Sequence, residues 1–295
     1  MAIFTPMNEN ILKRMRQKMF FLGSWLCLVL GLSACATASF SPSRGVGRVK
    51  QYDFYSYDVP EAFDGFRVAF ASDFHYESKF NRKRLQPLVH TLQGLQADVL
   101  LLGGDYGSPK GKAADMDTLF AALARVQTPY GILAVMGNHE YGSNYPVVVE
   151  AMQRYGIRRM EHQSYALQKG GQQLVVCGVR NPFDLRANGD SPSEHFPASD
   201  FVILVTHAPD YAEDTDVSNA NLVLAGHTHG GQVSLFKRWA PVRHSAYGHR
   251  FLTGWTENSR GTPVVITNGI GTSRAKVRLF TPSEVVLIVL HRVEK

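Results

Sequence analysis

Two histidines one residue apart and walled by glycines stand in Gly226-His227-Thr228-His229-Gly230-Gly231-Gln232. Imidazole is a common ligand for zinc, iron and similar ions, and glycine lets the backbone turn sharply beside an ion or a phosphate. On an ordinary strand the same i, i+2 pair only points to one face and does nothing chemical. By itself the pair is suggestive; further donors must decide it.

Those donors lie upstream, each at the end of an apolar run. Residues 66–72 read as a strand that delivers Asp73-Phe74-His75, again at i, i+2 spacing, so both side chains face one way. The run Val99–Leu102 leads into Gly103-Gly104-Asp105, and the run over 132–136 into Gly137-Asn138-His139-Glu140. The run over 201–206 leads into His207-Ala208-Pro209-Asp210, and Leu222–Ala225 into the histidine pair. In open α/β sheets, sites form outside the carboxyl ends of the strands, so these groups are expected to converge. Asp73 and Asp105 would be costly there without countercharge, which divalent cations supply.

The intervening elements fit this layout. A helix over 81–96 carries Leu85, Leu88, Val89, Leu92 and Leu95 as an apolar stripe, and one over 113–127 carries Met116, Leu119, Phe120 and Leu123. Alternation of strand and helix to about residue 160 says α/β. From Tyr165 onward short strands dominate, over 173–179, 263–267 and 285–290, which argues for a second sheet packed on the first.

Asp73-x-His75, Gly104-Asp105, Gly137-Asn138-His139-Glu140, His207 and Gly226-His227-x-His229 stand in the order of the five motif blocks of calcineurin-like metallophosphoesterases, and the resemblance spans roughly residues 65–292. It implies an α/β fold, a four-layer sandwich of two mixed sheets flanked by helices. It also implies two divalent metal ions, Mn, Fe or Zn. One would take Asp73, His75 and His229, the other Asn138, His207 and His227, with Asp105 bridging. Such a pair sits roughly 3.5 to 4 Å apart, clamps the oxygens of an in-line displacement and makes hydroxide available near neutral pH. The matching histidine of the family faces the substrate, so His139 is the expected catalytic residue, protonating the leaving oxygen or stabilising developing charge. Glu140 is expected to orient that imidazole.

The N-terminus bears on where such chemistry happens. Lys13, Arg14, Arg16 and Lys18 precede an apolar run of 14 residues, 19–32, which meets Leu32-Ser33-Ala34-Cys35. That describes a secretory signal, and the run is short for a bilayer span. Cys35 after Leu-Ser-Ala resembles the bacterial lipoprotein lipobox, which implies cleavage before Cys35 and lipid on its sulfur; the rival reading is an uncleaved anchor. The expected organisation is a leader over 1–35, a tether and entry strand over 36–64, and a catalytic domain over 65–295.

Composition fits one exported domain. Without residues 1–34 the chain keeps 27 Lys and Arg against 24 Asp and Glu, a net of +3 that is too mild to argue for nucleic acid. Of three cysteines, Cys27 lies in the leader, Cys35 is expected to carry the lipid and Cys177 reads as a buried strand residue, so neither a disulfide framework nor a cysteine metal site is expected.

Other residues carry weaker expectations. His90 reads as a helix-surface residue, and His162, His195 and His291 have no partner at ligand spacing. The basic, aromatic segment 236–250, with His244 and His249, would reach over the metals toward a phosphate, an acyl chain or anionic lipid heads, or else pack as an ordinary loop on the second sheet. Arg278 reads as a surface residue with a weak claim to a phosphate, and 181–200 as a long loop edging the site.

Pairing of Gly-Asn-His-Glu with Gly-His-Thr-His-Gly-Gly-Gln is similar to the membrane-associated bacterial phosphodiesterase branch, some of whose members cleave the pyrophosphate of UDP-2,3-diacylglucosamine. The expected partner is thus a phosphoester, lipid-linked in that branch, met at the membrane surface that the N-terminus holds. An exported enzyme would not meet a cytoplasmic nucleotide, so that substrate requires an inward-facing anchor. The segment 271–278 also carries charge where that branch is expected to have Leu and Pro. The reading from another class is a non-catalytic binding module on the same fold; the full set of donors argues against it.

Overall fold

The protein is described here by a computed structural model covering residues 46–76, 82–107, 112–142, 144–235, 239–273 and 277–294. The leader, with Cys35, and residues 36–45 of the tether lie outside the described residues.

Strand β1 (Arg48–Ser56) is followed by β2 (Arg67–Ala71), helix α1 (Arg82–Gly94), β3 (Val99–Leu102), α2 (Ala113–Leu123), β4 (Ile132–Ala134), α3 (Tyr145–Arg154) and β5 (Arg158–Arg159). Then come the hairpin β6 (Gln163–Lys169) and β7 (Gln172–Gly178), the single turn α4 (Leu185–Asn188), β8 (Phe201–Val205), the single turn α5 (Tyr211–Asp214) and β9 (Leu222–Ala225). The chain closes with β10 (Gly254–Glu257), β11 (Pro263–Ile266) and β12 (Glu284–Arg292).

These strands form two mixed six-stranded sheets, ordered β1-β12-β2-β3-β4-β5 and β10-β11-β9-β8-β7-β6. Each pairs mostly in parallel, with β12 antiparallel to β2 in the first sheet and β6 and β10 antiparallel to their neighbours in the second. The expectation for 285–290 is corrected: this run is β12, and it lies between β1 and β2 in the first sheet, with Ile288 opposite Val68. Apolar on both faces, it suits a central strand of either sheet, and only the three-dimensional register assigns it.

Period-two alternation explains why whole strands are apolar. Val68, Phe70, Leu101, Ile203, Val205 and Ile288 meet between the sheets. The intervening Ala69, Ala71, Leu100 and Leu287 pack under α1 and α2 through Leu88, Leu92, Leu119 and Phe120. Truncating a residue of this inter-sheet core such as Leu101 to Ala would cost about 2–5 kcal/mol. The outer face of the second sheet is covered more thinly, by Tyr211 and Ala212 of α5 with Val217 and Phe251. Cys177 faces that side fully buried, as expected, and burial pushes its thiol up to about 12. Both sheets present the carboxyl ends of their parallel strands to one edge of the sandwich, which is where the donors emerge.

Candidate metal centre

Five donor-bearing residues leave their strands through backbone that L-residues seldom adopt. Asp73 (φ 57°), His75 (φ 41°), Asp105 (φ 54°), His227 (φ 69°) and His229 (φ 54°) all lie in the left-handed region. Such strain costs of order 1–3 kcal/mol per residue and persists where the surroundings over-determine it. The glycines of the motifs make room for these turns. A Cβ on Gly226 would fall 2.3 Å from Asp73 Oδ2, and one on Gly137 would fall 2.2 Å from Asp105 Oδ1.

The side chains converge as two groups joined by one oxygen. His229 Nε2 lies 3.1 Å from His75 Nε2 and 3.4 Å from Asp73 Oδ1. His207 Nε2 lies 3.2 Å from Asn138 Oδ1 and 3.2 Å from His227 Nδ1. Between them, Asp105 Oδ2 stands 3.5 Å from His75 Nε2 and 3.4 Å from His207 Nε2. His139 Nε2 approaches the same oxygen at 3.9 Å, from the His75 side. Nitrogen and oxygen atoms this close, in the groups Asp73, His75, His229 and Asp105, His207, His227, could each hold an ion; His75, Asp105 and His139 form a third such group.

Hydrogen bonds fix which atoms face inward. His207 Nδ1 donates to Gly103 O at 2.7 Å, which turns Nε2 toward Asp105 and Asn138. Asp73 accepts the His227 N–H at 3.0 Å, and Asp105 Oδ1 accepts the His139 N–H at 3.0 Å.

The electrostatics ask for positive charge. Burial raises the Asp73 carboxyl to about 6, and burial lowers His75 to about 4 and His227 to about 3, so those imidazoles are neutral, as metal ligands must be. Burial also holds His229 well below its ordinary value. Burial alone would lower His207 too, but facing Asp105 it is raised to about 10. The cluster thus answers two buried carboxylates with a proton on one histidine; divalent cations at the two donor groups meet the same demand, so the residues fit the ions.

Residues 66–231 match the profile of the family described as calcineurin-like phosphoesterase. The chain belongs to that family. It is 25% identical over 288 residues to the uncharacterized metallophosphoesterase YkuE of Bacillus subtilis, covering 95% of this chain and 99% of that one. It is also 25% identical over 249 residues to an uncharacterized metallophosphoesterase of Aquifex aeolicus, covering 82% of this chain and 91% of the relative. Among solved structures it resembles a 5'-nucleotidase precursor from Thermus thermophilus, with 12% identity, a TM-score of 0.47, and coverage of 76% of this chain and 54% of that one.

Around this metallophosphoesterase centre, two buried charges hold loops, and both depart from the sequence reading. Glu140 does not orient His139. Its Oε2 accepts the N–H groups of Asp105 and Gly137, each at 2.8 Å, and its Oε1 accepts that of Tyr106 at 2.9 Å. The His139 Nδ1, by contrast, is buried with no hydrogen-bond partner among the described residues. Arg278 is not a surface residue. It is buried and donates to the carbonyls of Gly271, Asn268, Thr281 and His229, with Nη2 also 3.2 Å from His229 Nδ1. Its guanidinium ties the second histidine of the pair to the loop after β11.

The rim comes from the two loops singled out in the sequence. Phe183, in the 181–200 loop, stands edge-on to His227 with ring centroids 5.0 Å apart, and His244 approaches the same imidazole at 5.7 Å. Residues 236–238 lie outside the described residues; farther along the segment, Ser245 donates to Asp210 at 2.5 Å and Tyr247 packs on Phe251 over the second sheet. That segment touches the site through His244 and covers the sheet through Tyr247. His249, His90 and His195 are exposed, His291 is 3.2 Å from Asp53, and His162 accepts the Arg180 N–H at 2.9 Å. No helix among the described residues is long and apolar enough to cross a membrane.

Proposed function

We propose that the chain is a phosphodiesterase that hydrolyses a phosphodiester or pyrophosphate bond with two divalent ions, Mn, Fe or Zn. The observation that carries this reading is Asp105 Oδ2, placed within 3.5 Å of imidazole nitrogens from both donor groups. A carboxylate oxygen so shared suits a bridge, with Asp73, His75 and His229 holding one ion and Asn138, His207 and His227 the other. When bound, the ions supply Lewis-acid charge to the phosphoryl group and a source of hydroxide near neutral pH.

The chain's own groups do the rest. His139 Nε2, which faces the shared carboxylate from the His75 side, donates a proton to the leaving oxygen as the P–O bond breaks, or hydrogen-bonds the charge that develops there. Glu140 keeps the Asp105 turn in its left-handed conformation by taking up its N–H groups.

Diester preference rests on the likeness of the Gly-Asn-His-Glu and Gly-His-Thr-His-Gly-Gly-Gln blocks to the membrane-associated bacterial branch. Export with a lipid on Cys35 rests on the leader and lipobox sequence. A UDP-2,3-diacylglucosamine pyrophosphatase would use the same centre but needs an anchor facing the cytoplasm, which the lipobox disfavours. A screen of purified protein with Mn, Fe or Zn against simple diesters, nucleotide diphosphate lipids, phospholipids and monoesters tests the reading. Metal-dependent release from diesters or pyrophosphates ahead of monoesters supports it; no release under any metal would leave a binding module.

A further inference from the structure

Phe183 is a large apolar residue left 51% exposed, at a place where nothing about folding asks for it. Burying a phenyl side chain is favourable, and about half of that gain is forgone here. Its surroundings are polar: the ring centroid lies 5.0 Å from that of His227 and 6.4 Å from that of His207, edge-on to both.

The ring is also held where it stands. Its own N–H donates to Asn181 Oδ1 at 3.2 Å, Asn188 Nδ2 donates to Asn181 O at 2.6 Å, and Arg180 Nε donates to Asn188 Oδ1 at 3.2 Å. Pro182 beside it is buried, and Leu185, two residues on, adds a second exposed apolar side chain at 37%. A loop pinned by three hydrogen bonds thus presents apolar surface to the His207 and His227 half of the centre.

The other half is served differently. His139 stands edge-on to His75 at 4.7 Å, whereas Phe183 stands edge-on to His227 at 5.0 Å. A diester carries two organic groups, one that leaves and one that stays on phosphorus. If His139 attends the leaving oxygen, the phenyl ring is left for the group that stays.

We propose that Phe183 forms a subsite for an apolar or aromatic group retained on the phosphorus. This rests on the phosphodiesterase reading above and names the substrate class for it: a phosphoester with a hydrophobic second substituent. Ring-to-ring or ring-to-chain contact of this kind changes affinity by about tenfold.

The test uses the metal-loaded full chain and two non-hydrolysable probes with the same phosphoryl head, phenylphosphonate and methylphosphonate, bound in a calorimeter. The wild type is expected to bind the phenyl compound about tenfold more tightly. Phe183→Ala is expected to bring the two within about twofold while its metal content stays unchanged, and Phe183→Leu to keep part of the preference. A preference that survives in Phe183→Ala overturns the subsite, as does a wild type that shows none, whether it binds both probes or neither. The function reading fails separately: a wild type with the phenyl preference and no hydrolysis of any ester keeps the subsite and loses the phosphodiesterase.

Discussion

The Glu140 carboxylate takes the backbone N–H of Asp105 at 2.8 Å, so the residue three places after the Gly137 turn clamps the turn that carries the shared oxygen. Oε2 and Oε1 together accept three N–H groups, and a carboxylate can do this because both of its oxygens are acceptors.

Glu140→Gln removes that symmetry. An amide has one acceptor oxygen, so in either flip at least one N–H faces an NH2 group, at a cost of about 1–3 kcal/mol. Metal affinity is expected to fall about 10–100-fold, as for other groups that orient ligands from behind. Titration of the metal-free protein with Mn or Zn checks this; an unchanged affinity would mean the Asp105 turn holds itself.

Arg278→Met takes a cation away from His229 and leaves the carbonyls of Asn268 and Gly271 without their donor. Loss is expected first from the half built on Asp73, His75 and His229, so metal analysis should show one ion released about 10–100-fold more easily than the other. Arg278→Lys has a single head group where five N–H donors stood, and should rescue only in part. Equal loss of both ions would point to general unfolding.

His139→Ala is expected to keep its metal and lose turnover, by roughly 10²–10⁴-fold in kcat for a missing general acid. Metal analysis and diester kinetics on one preparation decide it. Unchanged turnover removes His139 from the mechanism, and loss of metal makes it a ligand, in line with its 3.9 Å approach to Asp105.

Cys35→Ser is expected to abolish incorporation of labelled fatty acid and release the protein from membranes. Continued labelling would put the lipid elsewhere and end the lipobox reading.

The convergence of Asp73, His75, Asp105, Asn138, His139, His207, His227 and His229 was legible in the sequence, because each follows an apolar run and a strand that is buried on both faces ends where its side chains meet solvent. Asp73 with His75, and His227 with His229, were legible as pairs for the same reason. The left-handed backbone at five of these residues was not, since no residue type there announces it. Glu140 was read by adjacency as the partner of His139, yet neighbours on a tight turn diverge, and its carboxylate reaches back 35 positions to Asp105. Arg278 looked like any surface arginine, because the five buried carbonyl oxygens to which it donates leave no mark on the local sequence. The 285–290 run carried its apolar pattern openly but not its address, and β12 took its place beside β2.

Whether the Asp105 carboxylate joins two ions is tested most directly by metal analysis of wild type beside Asp105→Asn. Two divalent ions per chain in the wild type, with metal and diester hydrolysis lost together in Asp105→Asn, is the predicted result. Full two-ion occupancy in Asp105→Asn would contradict it.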